Sequence, residues 1–121
     1  MRVSAKADYA ARAAAELSTA TDKPIKADRI AEAQGIPAKF LETILLELKH
    51  AGIVRSQRGP DGGYALARPA EDISVADVIR AVDGPLANVR GDRPENMEYN
   101  GAAEPLTDVW IAVRAALREI L

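Results

Sequence analysis

The 121-residue chain contains no cysteine. That excludes disulfides, a cysteine nucleophile, thiol redox sensing and a zinc site built from thiolates. A single histidine, His50, leaves little for a histidine metal site or a Ser-His-Asp triad. Aromatic residues make up only 4% against 48% hydrophobic residues, so the core must be built mainly from Ala, Leu, Ile and Val. Such a mixture favours closely packed helices. No run approaches the ~18 apolar residues that span a membrane. The start, Met1 to Lys6, lacks the apolar stretch of a signal peptide. These absences predict a cytoplasmic protein with no metal, no cofactor and no catalytic residues.

The charge is unevenly spread. The net charge is −2, which argues against a nucleic-acid binder if read alone. Residues 1–69 carry 11 Lys and Arg against 8 Asp and Glu, a net +3. Residues 70–121 carry 5 against 10, a net −5. A mildly basic front and an acidic rear fit a DNA-facing part followed by a different module.

Helical spacing predicts a first helix over about Ser4–Ser18, with Val3, Ala7, Ala10, Ala11, Ala14 and Leu17 on its inner stripe. Thr19 to Pro24 reads as a loop. A short helix follows over Lys26–Gln34, with Ile25, Ile30 and Ala33 inward and Gly35 as its stop. Pro37 at a first helical position opens a third helix, Pro37–His50. Its inner stripe is Leu41, Ile44, Leu45 and Leu48, with Lys39, Glu42, Thr43 and Glu47 opposite. This pair has helix-turn-helix dimensions, although an ordinary helical hairpin has them too. Two short strands, Ile53–Gln57 and Tyr64–Ala67, flank the turn-rich Arg58-Gly59-Pro60-Asp61-Gly62-Gly63. A hairpin directly after such a pair is the order of a winged helix.

Ser74-Val75-Ala76-Asp77 has the form of a capping box and opens a fourth helix with inner stripe Val75, Val78, Ile79 and Val82. Leu86 to Glu104 has no period and reads as a long surface loop, a length often tied to function. From Pro105 onward Leu106, Val109, Trp110, Val113, Leu117 and Ile120 keep helical spacing. The winged-helix core is complete by about Pro85, so this last stripe needs a partner, and a second copy of the chain is the simplest. The expected fold is therefore mainly α with a small β-hairpin. A winged helix-turn-helix occupies 1–85, a loop 86–104 and a dimerisation helix 105–121. The stripe runs on to Leu121, so a short or cut C-terminus is expected.

The chain resembles the Rrf-two family of bacterial winged-helix regulators, the IscR/NsrR/CymR type. The resemblance rests on Met1–Ala10, Ile30–Ile36, Phe40–Leu45 with Leu48, and Ala51–Ser56. Its strongest piece is Arg58–Pro69, followed by Ile73–Ile79 and Ala81–Pro85. It implies a homodimer that binds double-stranded DNA at a partly palindromic operator, as a repressor. It also implies that the helix Pro37–His50 enters the major groove, with Lys39, Glu42 and Thr43 facing base edges or nearby phosphates. Lys39 suits a phosphate or guanine, and Glu42 can accept from a cytosine amino group. Gln57, Arg58 and the backbone of Gly59, Gly62 and Gly63 would sit at the minor groove, whose negative potential attracts an arginine. Tyr64 either braces the wing or reaches a phosphate. Lys6 and Arg2 are further phosphate candidates. Leu106, Val109, Trp110, Val113 and Leu117 would form the dimer interface.

The family pattern places three cluster-binding cysteines in the loop before the dimerisation helix, and this loop has none. Iron–sulfur clusters need thiolates in nearly all cases, so no cluster is expected. Asp8, where some relatives place a carboxylate ligand, reads as a solvated or ion-paired helix residue. The signal would then be a small molecule near Trp110 and the loop, or a partner protein. Two other functions compete. One is a winged-helix protein-interaction module that does not bind DNA, favoured by the acidic net charge. The other is an enzyme, but Gly59–Gly63 lacks the Lys-Ser/Thr and the helix that a phosphate loop needs.

Overall fold

A computed structural model describes residues 1–20 and 23–121. Thr21 and Asp22, inside the expected loop Thr19–Pro24, lie outside the described residues. The chain is mainly helical with one antiparallel hairpin, in the order α1 (Ala5–Ser18), α2 (Ala27–Gln34), α3 (Ala38–His50), β1 (Val54–Gln57), β2 (Gly63–Leu66), α4 (Val75–Asp83) and α5 (Leu106–Ile120). No helix among the described residues is long and apolar enough to cross a membrane.

The first helix, α1, is the centre of the packing. It touches α2, α3, α4 and β2. Its inner face is Ala7, Ala10, Ala13 and Leu17, all buried. Side chains this short let neighbouring backbones come close. The Ser4 side chain caps the helix by accepting from the Ala7 amide at 3.0 Å. The Ser4 hydroxyl also donates to Asp83 at the end of α4, 2.5 Å away. Val3, expected on the inner stripe, is 58% exposed. It precedes the cap, where helical spacing has no meaning.

The short helix α2 buries Ile30 through the face Ala27, Ile30, Ala31 and Gln34. Ala33 lies off that face and is exposed, contrary to the spacing argument. Gly35 ends the helix in a left-handed conformation (φ 62°, ψ 38°) that glycine adopts without steric cost. Pro37 is the cap of α3 rather than its first helical residue. Its backbone is extended and its carbonyl accepts from the Leu41 amide at 3.0 Å. Leu41, Ile44, Leu45 and Leu48 are buried, as the spacing predicts.

The hairpin pairs Val54 with Leu66, Arg55 with Ala65, Ser56 with Tyr64 and Gln57 with Gly63. Both strands start or end one residue from the predicted bounds. The hairpin is not free-standing. Ile25, just before α2, exchanges two 2.8 Å backbone bonds with Tyr64. A Cβ on Gly63 would stand 2.5 Å from the Ile25 carbonyl oxygen. The close approach that locks the hairpin to the helix pair thus requires glycine there.

The Ser74–Asp77 capping box is present, with both reciprocal bonds at 3.0 Å. The buried face of α4 is Ala76, Val78, Ile79 and Val82. Val75 was expected inward but is 47% exposed. Ala76, three residues before Ile79, takes the face against α1 instead.

The segment 86–104 is not structureless. Val89 and Asp92 exchange backbone bonds of 2.8 and 3.0 Å around a tight turn, with Arg90 at φ 52° and Gly91 at φ 80°. Single 3-10 turns follow at Pro94–Asn96 and Gly101–Ala103. Leu86, Pro94 and Met97 are buried. Side-chain bonds fix the segment to α5. Thr107 donates to the Met97 carbonyl at 3.0 Å, the Trp110 indole N–H to the Tyr99 hydroxyl at 3.0 Å, and Arg114 to Glu95 at 2.5 Å. Such bonds leave no periodic trace in a sequence.

Two predictions follow from these contacts. Gly63→Ala should cost about 2 kcal/mol or more in urea unfolding, because a positive φ (145°) combines with a backbone clash. Gly59→Ala, at φ 101° but in open space, should cost about 1 kcal/mol. Equal losses would refute the locking role of Gly63.

The Asp77 carboxyl is held below its ordinary value of 3.8, first by the Ser74 backbone N–H, against a raising effect of burial, and further by the Ser74 hydroxyl and Arg80. Its stabilisation is therefore complete above pH ~3.8 and lost as pH falls through the lower folded value. Asp77→Asn should cost about 1 kcal/mol at neutral pH. The gap to the parent should close in strong acid, and a pH-independent gap would refute this account.

Candidate nucleic-acid interface

The exposed side of α3 carries Lys39, Phe40, Glu42, Thr43 and Leu46. Lys39 sits in the first turn, which holds no acidic residue. The helix dipole disfavours a cation there, and both the dipole and the ammonium attract an anion. Thr43 turns its hydroxyl back toward the Lys39 carbonyl at 3.5 Å, a weak bond that leaves it free to be drawn outward. Glu42 is exposed beside them.

Two contacts hold this helix at a fixed angle to α1, and a third ties α1 to the end of α2. Lys6 pairs with Glu47 at 2.7 Å. Tyr9 meets Phe40 edge-on, with ring centroids 5.8 Å apart. The Arg12 guanidinium lies 4.9 Å from the Tyr9 centroid and donates to the Gln34 carbonyl at 2.7 Å. Lys6, a phosphate candidate from its sequence position, is thus engaged within the molecule. Asp8 is ion-paired, 3.3 Å from Arg12.

The wing presents Arg55, Ser56, Gln57 and Arg58 to solvent from one strand and its turn. Among the described residues, Lys39, Arg55 and Arg58 have no carboxylate within 4.0 Å. Gly59 lies open at the tip. Gly62 does not. It is buried, its amide donates to the Gly59 carbonyl at 2.9 Å, and a Cβ would strike the Gln57 carbonyl. Gly62 and Gly63 therefore shape the turn and its docking, and the idea that both lend their amides to phosphates does not hold for Gly62. Tyr64 packs against the core, which favours bracing over phosphate contact.

Sequence spacing did not single out Arg55 and Phe40, which the structure leaves exposed on the wing and on α3. The strand reading gave no inward or outward sense to Arg55, because only Val54 of β1 is buried. Phe40 is 51% exposed next to Lys39.

At the rear, α5 has no fully buried residue. Leu106, Val109 and Val113 are 38%, 46% and 42% exposed on one stripe. Trp110, Val113 and Leu117 instead meet Met1, Arg2 and residues 86–89 around a cleft of about 370 Å3. Arg2 is thus placed at the rear, not on the wing side. Trp110 and Leu117 are half-buried against their own chain.

A family model described as Rrf2, iron-dependent transcriptional regulator, matches residues 3–121. A helix-turn-helix-type transcriptional regulator of Mycobacterium tuberculosis is 52% identical over 122 residues, covering 100% of this chain and 76% of that protein. The regulator CymR of Bacillus subtilis is 31% identical over 122 residues, covering 100% of this chain and 83% of that protein. The solved structure of B. subtilis CymR, titled the global cysteine regulator, superposes with a TM-score of 0.80 at 30% identity, covering 100% of this chain and 89% of that one. The IscR structure from T. potens gives 0.78 at 32% identity, covering 100% and 80%.

The iron in the family description does not fit these residues as a cluster. The 121 residues hold no thiolate. In the segment 86–104, Asp92 is engaged by Asn96 and the Arg93 amide, and Glu95 by Arg93 and Arg114. Among the described residues no three His, Asp or Glu side chains converge.

Proposed function

The chain belongs to the Rrf2 (Rrf-two) family of transcriptional regulators, and from that premise we propose that it is a homodimeric repressor that reads a palindromic operator without an iron–sulfur cluster. Residues 1–85 are the DNA-reading domain and 105–121 the dimerisation helix. The observation that carries this reading is that the exposed face of α3 and the wing display Lys39, Arg55 and Arg58 with no carboxylate within 4.0 Å among the described residues. Lys39, Glu42 and Thr43 read base edges in the major groove, with Phe40 available to a thymine methyl. Arg58 enters the minor groove beside Gln57 and Gly59, and Arg55 neutralises a phosphate. Bound across a promoter, such a dimer blocks access to it. The cleft beside Trp110 is a site for a small effector, and a partner protein is the other source of the signal.

The apolar stripe Leu106, Val109 and Val113 is the dimer seam, completed by Trp110 and Leu117 at its inner margin. A two-fold dimer of this kind recognises half-sites whose centres lie ~10 bp apart or a multiple of it.

Two measurements test this reading. Duplex affinity should fall steeply with salt, through counterion release. Arg58→Ala should weaken operator binding by about tenfold and reduce the salt slope by about one. Binding that is absent, or indifferent to salt and to Arg58, would favour a protein-interaction module instead. Val113→Asp should raise the dimer dissociation constant by at least about thirtyfold in sedimentation or light scattering. An unchanged dimer would move the seam elsewhere.

A further inference from the structure

Residues 70–121 carry ten carboxylates and only five cations, and all five are arginine. Four of the five, Arg80, Arg93, Arg114 and Arg118, line one cleft of about 260 Å3 between the end of α4 and α5. Gly84 and Pro85 form part of its wall. Gathering like charges is unfavourable unless negative charge meets them. Two carboxylates do so in part. Glu95 binds Arg114 at 2.5 Å and lies 3.6 Å from Arg93. Asp77 binds Arg80 at 2.7 Å, and it also serves the Ser74 cap. Arg118 has no carboxylate within 4.0 Å among the described residues. Four guanidiniums thus share two carboxylates.

We propose that this cleft binds a small anion carrying two or more negative charges, a phosphate ester or a di- or tricarboxylate, through Arg118, Arg93 and Arg114. The planar forks of arginine match the paired oxygens of both classes. At about 30 Å3 per water in the liquid, the cleft has room for roughly eight or nine waters. That suits a compact metabolite and not a drug-sized ligand. Glu95 is the internal stand-in for the anion. It keeps two guanidiniums poised and competes with the incoming ligand. The anion joins α5, through Arg114 and Arg118, to the segment before it, through Arg93. Arg80 extends the cleft to α4, which packs on α1 and α3. The site is separate from the cleft beside Trp110, and binding at it does not depend on the DNA reading.

Calorimetric titration of the full chain with pyrophosphate and with citrate, at matched ionic strength, tests the site without DNA. The expected result is saturable binding of one anion per chain. Arg118→Gln should weaken it about tenfold or more, the size of one charge-assisted hydrogen bond. Arg118 is exposed, so this variant should fold. Glu95→Gln should strengthen binding, since the competitor is gone, and Arg68→Gln should leave it unchanged. Three results would overturn the proposal. One is no saturable heat at millimolar anion. Another is equal binding by Arg118→Gln and the parent. The third is weaker binding by Glu95→Gln in a chain whose circular dichroism is unchanged. If Arg118→Gln loses duplex DNA while the parent binds neither small anion, the cleft serves a DNA phosphate and the proposal fails.

Discussion

Everything in this molecule is arranged around a helix that has almost no side chain on its inner face. Ala7, Ala10 and Ala13 are at most 1% exposed, and α1 meets α2, α3, α4 and β2. A core with 4% aromatic residues cannot fill wide gaps, so it must close them. Alanine does this by letting backbones approach. A larger residue on this face would push α3 and α4 apart, and overpacking costs about 1–3 kcal/mol even where the core can adjust. The same closeness fixes the angle of α3, through Lys6 to Glu47 and Tyr9 to Phe40. The direction in which Lys39 points is thus set on another helix.

The wing is positioned by a second close approach. Ile25 and Tyr64 exchange backbone bonds, and Gly63 lies against the Ile25 backbone. Ile25 lies two residues before α2, so these bonds tie the strand that follows Arg58 to the helix pair that carries Lys39. A free hairpin would lose that placement to conformational entropy.

Much of this was legible in the sequence, and the reasons differ by element. The faces of α3 and the Ser74–Asp77 box were readable because burial and capping leave local, repeating marks. Val3, Ala33 and Val75 were misplaced because each lies within a turn of a helix end, where spacing no longer decides which side is covered. The segment 86–104 was legible as a loop, but its internal order was not, for a deeper reason. Its order comes from Thr107, Trp110 and Arg114 bonding to the Met97 carbonyl, Tyr99 and Glu95, partners ten to nineteen residues away. On the exposed face of α3 and the wing, the positions of Lys39 and Arg58 followed from motif order. The burial of Gly62 did not, since a glycine needed for approach and one needed for a turn look alike.

The front carries a net +3 and the rear a net −5, so a chain of net charge −2 still has a basic part. On that part Lys39, Arg55 and Arg58 stand on the exposed face of α3 and the wing without a carboxylate within 4.0 Å among the described residues. In the rear, Arg80 meets Asp77 while Arg93 and Arg114 meet Glu95, whose carboxyl is held below the ordinary carboxylate range by its own backbone N–H, against a raising effect of burial, and by Arg114 and Arg93. Screening over about 8–10 Å keeps the acidic rear from cancelling the front. Net charge is then the wrong quantity for judging the partner. What matters is which charges the fold leaves unpaired, and on which face.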